Sequence, residues 1–390
     1  MLERALTLTD LTLFGVASIV GSGGFNLVGK AVRAGGAWWP VAFGISAALL
    51  LGASYAYSDA FRRFGKNTTE SDMVASVFGP VGEGVSVISI LLFNVVSISA
   101  ILVFCTQMMI PNGSWSAQVG SALALLGGMA GFSLAGIELN SVTINAMAYV
   151  LIGLLTFLSG LGIYGLVAAR GPAASVTGPP SGPPSSFITS LLLIFFVLAG
   201  FDSNMKFAEE AKEPTDIPTS FFTSNLISFA LVAGVAMAIH VWLPNLGAAK
   251  EGNALSHLFA AFFGPGSMIP VMFLMVGFML TATFVVFLST TRYLFSLGEK
   301  FPILSPLKEV NAASVPYNTV ALLTVISGLA ILINHTETLV RLSDAGIILL
   351  LGLVAAAAAA TDFGEGSLFS AALNGATATG FTGLLAACLL

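Results

Sequence analysis

Charge is what this sequence has least of. Only 8% of its 390 residues are Asp, Glu, Lys or Arg, whereas a water-soluble domain carries about 25%. With 56% of residues in the hydrophobic set and a mean hydropathy of +0.95, the chain cannot present an ordinary wetted surface. The formal net charge is −5 and the 14 basic residues form no stripe. A nucleic-acid partner is therefore excluded, because nothing is arranged to grip a phosphate backbone. The two cysteines, Cys105 and Cys388, are too few for a disulfide framework and read as small packing residues. His240, His257 and His335 are too scattered to gather a metal. No His/Asp or Cys/His constellation stands out, so no catalytic residue, cofactor or metal is expected, and the chain is not read as an enzyme.

What is abundant is apolar sequence in blocks of roughly 20 residues, enough to cross a roughly 30 Å hydrocarbon core as helix with every backbone group bonded internally. Eleven such blocks lie near Leu11–Gly35, Trp38–Ala60, Val85–Ile110, Ala117–Leu134, Ser141–Val167, Phe187–Ala208, Ser220–Leu243, Ser267–Gly298, Pro316–Asn334, Thr338–Ala360 and Ser367–Leu390. The pattern predicts an all-α integral membrane protein of about eleven transmembrane helices. No early small-residue cleavage site follows the first block, which is expected to stay in the mature protein. The longest joint follows Arg170 and reads GPAASVTGPPSGPPSS to Ser186, a linker with too little apolar surface to pack.

Lys and Arg in short loops stay preferentially on the cytoplasmic side. With the N-terminus inside, nine basic residues fall at cytoplasmic ends (Arg4, Arg62, Arg63, Lys66, Lys206, Lys212, Arg292, Lys300 and Lys308). Five fall at the other face. A cytoplasmic N-terminus in the plasma membrane is the expectation.

Two segments share a local pattern. Val74-Ala75-Ser76-Val77-Phe78-Gly79-Pro80 enters the third block, and Phe259-Ala260-Ala261-Phe262-Phe263-Gly264-Pro265 enters the eighth. Five is an odd number of spans, so the two copies fall on opposite membrane faces, as in two inverted five-helix repeats. The division this predicts is residues 1–168 for the first repeat, 169–186 for the linker, 187–362 for the second repeat and 363–390 for an additional C-terminal helix.

The first helix of each repeat carries a run that opposes helix. Span one has Gly21-Ser22-Gly23-Gly24-Phe25 and span six has Ala199-Gly200-Phe201-Asp202-Ser203. Glycine costs about 1 kcal/mol relative to alanine in a helix interior, and Asp competes for backbone groups. The glycines read either as close packing between helices or as a break that lines a polar cavity. Asp202 reads either as an interfacial aspartate or as a site residue. Interrupted spans at matching positions of two halves are the sequence mark of a transporter's binding site.

At these residues a resemblance becomes specific. Span one, GVASIVGSGGFNLVGKA, is similar to the first helix of amino acid permeases of the amino acid–polyamine–organocation superfamily. FFVLAGFDSNMKFAEEAKEPTDIPTS resembles that superfamily's GF(D/E)…EE…NP…IP signature, with Glu209-Glu210, Glu213-Pro214 and Ile217-Pro218. STTRYLFSLGEKFPILSPL resembles the stretch ending helix eight, through Arg292, Gly298 and Pro302, and Gly136, Ser141 and Asn145 fit the opening of helix five. The resemblance covers roughly Thr9 to Pro316. It implies the LeuT-type five-plus-five inverted repeat with helices one and six broken, and a carrier for an amino acid. A polyamine or organocation carrier, a passive exchanger and an amino-acid sensor stand as alternatives. The chain departs from the family pattern at Ser22-Gly23-Gly24, in having Ile152 where some proton-coupled members place a lysine, and in eleven rather than twelve spans.

A zwitterion in a dry site needs replacements for water at both charges. The half-helix after Gly21, Ser22, Gly23 and Gly24 would offer N–H groups to the carboxylate, and carbonyls near Ala199, Gly200 and Phe201 would face the ammonium. Phe25 and Phe201 read as gates or as packing, and Asp202 and Ser203 as site residues. For coupling, sodium would draw on Thr281 and Thr283 with carbonyls of span one, though such hydroxyls also bond their own helix. A proton would use Asp59, Asp202 or Asp344. Glu209, Glu210 and Glu213 with Lys206 and Lys212 read as a solvated cytoplasmic turn that gates the inner side. The expected partners are an amino acid, a proton or sodium ion, and membrane lipid; the oligomeric state is left open.

Overall fold

A computed structural model describes residues 2–21, 27–168, 184–242 and 254–389. Among the described residues there are thirteen α-helices. They are α1 (Leu8–Gly21), α2 (Leu27–Gly35), α3 (Trp39–Phe64), α4 (Thr69–Met109), α5 (Trp115–Ser133), α6 (Ile137–Ala168), α7 (Pro184–Leu198), α8 (Asp216–Trp242), α9 (Ala254–Phe263), α10 (Met268–Lys300), α11 (Tyr317–Ile331), α12 (Thr336–Gly364) and α13 (Leu368–Leu389). A 3₁₀ segment, Phe201–Phe207, follows α7. Among the described residues, seven helical stretches are long and apolar enough to cross a membrane, and α1 and α11 are shorter apolar helices. The blocks expected around α5 and α13 are helical, diluted by Ser, Thr and Gly.

The expected third span, placed from Val85, starts earlier, α4 beginning at Thr69, whereas the eighth, placed from Ser267, starts within one residue of that, at Met268. The same corner precedes both long helices. Helix α4 runs through Gly79, whose φ of 66° and ψ of −163° are not helical, and resumes at Pro80. Gly264 has φ 84° and ψ 164° and precedes Pro265, between α9 and α10. A proline disfavours the α region at the residue before it, and glycine alone takes positive φ without strain. Both copies of the repeated motif therefore make the same corner, with a short helix before it and a long one after.

Helices α1 and α2 lie against α7 and the 3₁₀ segment, α3 against α8, α4 against α10 and α5 against α11, while α12 packs along α4 and α13. Close approach depends on missing side chains. A Cβ on Gly346 of α12 would sit 3.0 Å from Phe93 N and Ser89 O of α4, and one on Gly162 of α6 would sit 2.9 Å from Ala238 N of α8. Small residues at such crossings replace the hydrophobic drive that lipid cannot supply.

Candidate functional site

The break expected in span six is present. Helix α7 ends at Leu198, Gly200 takes φ +136°, and the 3₁₀ segment begins at Phe201. Gly200 is required twice over: by that φ, and because a Cβ would meet Ser18 Oγ at 3.0 Å and Ile19 N at 3.2 Å. The break thus presses directly on α1, where the Ser18 and Ser203 hydroxyls lie 3.3 Å apart. Ala199 still donates its N–H to Phe195 O, closing the last turn of α7. Phe201 is fully packed, edge-on to Tyr57 at 5.2 Å and to Phe221 at 5.8 Å.

In span one, Gly21 is the last residue of α1, and a Cβ there would meet Ala282 Cβ at 2.6 Å and Phe278 O at 2.7 Å. It is a contact glycine against α10. Ser22, Gly23, Gly24 and Phe25 lie outside the described residues.

Just past the break the structure corrects the sequence reading. The turn expected to be solvated is in large part interior: Lys206 is 0% exposed and Glu210 1%, while Lys212 and Glu213 face out. Each buried charge meets an opposite one from a distant helix, which a linear sequence does not display. Lys206 Nζ donates to Asp202 Oδ2 at 2.7 Å and to Glu70 Oε1 at 3.2 Å. Arg292 holds Glu210 in a fork, Nε to Oε2 and Nη2 to Oε1, both at 3.0 Å. A charge taken out of water without such a partner would cost several kcal/mol. Lys206 and Arg292 therefore serve buried carboxylates rather than standing as free loop charges.

Glu209 is half-buried and knits the same end together. Its carboxylate accepts from Ser296 Oγ at 3.0 Å and its N–H donates to Asn67 Oδ1 at 3.1 Å, while Asn67 Nδ2 donates to Ser296 Oγ at 3.2 Å. Burial pushes the Glu209 carboxyl up, opposed by the Ser296 hydrogen bond. The N-terminal strap crosses over it: Ala5 and Leu6 donate to Glu210 O, and Lys212 N donates to Leu6 O.

At the other end of the same helices lies a cavity of about 650 Å³ between α2, α4, α7, α10, α12 and α13. Ile101, Phe196 and Met279 line it, with exposed Lys30 and Arg341 and the buried Asp344. Asp344 Oδ1 has no hydrogen-bond partner. On α4, Glu70 lies on the short helix before the corner at Gly79, and Ile101 lies about 32 Å along the long helix that resumes at Pro80, at 1.5 Å per residue. Phe196 is one turn before Gly200, so the cavity reaches toward the break.

The remaining candidates are dispersed. Thr281 Oγ1 donates to Gly277 O at 2.9 Å and Thr283 Oγ1 to Met279 O at 2.7 Å, which commits both hydroxyl protons to α10 and leaves their lone pairs. Asp59 is held by Arg63 at 2.9 Å, and Arg63 also reaches Asp362 at 3.0 Å and Glu365. Glu70 was not singled out from sequence because it sits in a polar run, Asn67-Thr68-Thr69-Glu70-Ser71-Asp72, that reads as a helix start. The available signal was Lys206, an ammonium inside an apolar block that had to find a counter-ion.

No curated protein matches the chain. The sequence profile of the amino acid permease family matches residues 6–385. That match runs through the break, the closed end and the cavity alike, and the chain belongs to the amino acid permease family.

Proposed function

We propose that the protein is a secondary transporter that moves an amino acid across a membrane by alternating access. The observation carrying this reading is the asymmetry of the bundle. One end is closed by buried ion pairs and the N-terminal strap, the other opens as a cavity, and the broken span six lies between them. In this reading the substrate sits at Gly21 to Phe25 and Ala199 to Ser203, with its carboxylate on N–H groups at the start of the second half-helix of span one. A backbone site at the midplane is what broken helices in transporters provide.

The five-plus-five repeat is supported by the matched corners at Gly79 and Gly264 and by the packing of the first span on the sixth, the second on the seventh, the third on the eighth and the fourth on the ninth. Such pairing is expected about a pseudo-two-fold axis in the membrane plane. Domain limits of 1–168, 169–186, 187–362 and 363–390 follow the same reading. With the N-terminus inside, the closed end is cytoplasmic. A cysteine replacing the exposed Lys66 is then expected to be protected, in intact cells, from an impermeant thiol reagent, and one replacing Gly182 in the linker to be labelled. The reverse pattern would invert the orientation.

Glu209 and Glu210 are read as gate residues. Glu209→Gln weakens the bond from Ser296, and a charge-assisted bond contributes about 1.5–3 kcal/mol. Because closure is a conformational step, the maximal rate is expected to fall by roughly tenfold with apparent affinity little changed. A large loss of affinity at an unchanged rate would place Glu209 in the binding site. The direct test of the function is uptake of radiolabelled amino acids into proteoliposomes holding the purified chain, with sodium and pH gradients imposed separately. Absence of uptake or exchange across the whole panel would refute the transporter reading.

A further inference from the structure

The charges at the closed end do not balance. Glu70 and Asp202 are two carboxylates, Lys206 is one ammonium, and all three side chains are 0–1% exposed. One oxygen of each carboxylate, Glu70 Oε2 and Asp202 Oδ1, is buried with no hydrogen-bond partner. Fully ionised, the cluster would hold a net negative charge and two orphan acceptors out of water, an arrangement that costs several kcal/mol. The neighbours do not cancel it. Tyr57 of α3, whose hydroxyl interacts with Glu70, and Tyr293 of α10 nearby bring no positive charge. On α4 itself, Asp72 and Glu83 are committed to Lys300 of α10, and Glu210 is committed to Arg292. On the helices packed nearby, Asp10 of α1 bonds Thr7 and Asn145, and Asp362 of α12 bonds Arg63 and Asn374.

We propose that Glu70 is a proton-binding site whose occupancy is tied to closure of this end of the bundle. The proton sits on Oε2, while Oε1 keeps the bond from Lys206. Of the two carboxylates Glu70 is the one to carry it, because Asp202 holds the ammonium more closely, at 2.7 Å against 3.2 Å, and also through its carbonyl at 3.3 Å. A metal cation is the poorer occupant: the Lys206 ammonium already lies between the carboxylates, and a second cation there would meet its repulsion. Glu70 belongs to α4 and its partners to the segment after the break, so the cluster spans the seam that must part when this end opens. Opening brings water to Glu70 and releases the proton; closing demands its return. The site stands on this geometry, and its use as the coupling site of transport rests on the reading proposed above.

The test uses the full-length chain with Cys105→Ala and Cys388→Ala and one reporter, Ala208→Cys, at a position 5% exposed beside Lys206. Reaction with a maleimide is followed from about pH 5.5 to about pH 8.5, normalised to a cysteine at the exposed Ser367. One linked proton makes the opening equilibrium change by up to about tenfold per pH unit. Closure binds the proton, so protection is expected at low pH and labelling as pH rises. Glu70→Gln supplies the carbonyl for Lys206 and an N–H₂ in place of the acid O–H, and is expected to stay protected at every pH. Lys206→Met keeps Glu70 but leaves two carboxylates facing each other, so closure should need a lower pH and respond more steeply. Glu70→Asp should retain a pH response.

A flat profile in the parent chain, a parental pH response in Glu70→Gln, or no displacement in Lys206→Met would each overturn the proposal. The Lys206→Met result keeps it falsifiable if the glutamine variant does not fold. Uptake is measured on the same preparations. A pH-dependent gate without transport of any substrate would defeat the transporter reading and leave the proton site standing, and uptake with a pH-independent gate would do the reverse.

Discussion

Arg292→Met is expected to destabilise the protein by about 3–5 kcal/mol, the cost of leaving one member of a buried ion pair without its partner. Both oxygens of Glu210 accept from the guanidinium at 3.0 Å, and neither side chain is more than 1% exposed. Arg292 Nη1 also donates to Thr291 Oγ1 at 3.0 Å, so that hydroxyl would lose a partner too. The double variant Arg292→Met, Glu210→Leu is expected to recover most of the loss, because well-packed apolar residues often replace a buried pair at no net cost. Thermal unfolding of the purified single and double variants in one detergent measures the coupling. A single variant as stable as the parent would mean that the pair is open in solution and that this end is not closed by it.

The second large effect concerns Gly23. Gly23→Val is expected to abolish measurable uptake while the protein still folds and inserts. A β-branched side chain favours extended or tightly restricted backbone and would fill the space assigned to the substrate carboxylate. Loss of one charge-assisted hydrogen bond costs about 1.5–3 kcal/mol, which is roughly a ten- to hundredfold loss of affinity. Gly21 supplies the contrast. Its Cβ position lies 2.6 Å from Ala282 Cβ and 2.7 Å from Phe278 O, so Gly21→Ala must push α1 off α10 and is expected to cost about 1–3 kcal/mol of stability as overpacking. Substrate binding and thermal stability, measured on each purified variant, separate the two roles. Normal binding by Gly23→Val would remove that glycine from the site, and undiminished stability of Gly21→Ala would contradict the observed contact.

The glycines and charges of this protein show where sequence reasoning reaches its end. Membrane residence was legible from composition, because a chain with so little charge and such long apolar blocks has one solvent in which all its backbone groups can be satisfied. The break at Gly200 was legible for a local reason: glycine followed by Phe-Asp-Ser opposes helix wherever it is placed. The corners at Gly79 and Gly264 were legible as a repeated motif, although hydropathy alone began the third span too late, since the lead-in from Thr69, with Glu70, Ser71 and Asp72, carries no long apolar block. What sequence misplaced was Lys206 and Glu210, whose character as solvated turn or as interior pair depends on partners 82 to 136 residues away. A residue's charge is written in the chain, but its desolvation and its counter-ion exist only once helices are packed. The tertiary structure therefore decided which charges are interior, drew Glu70 into the cluster, set Gly21 tightly against α10, and closed one end of the bundle while leaving a cavity at the other.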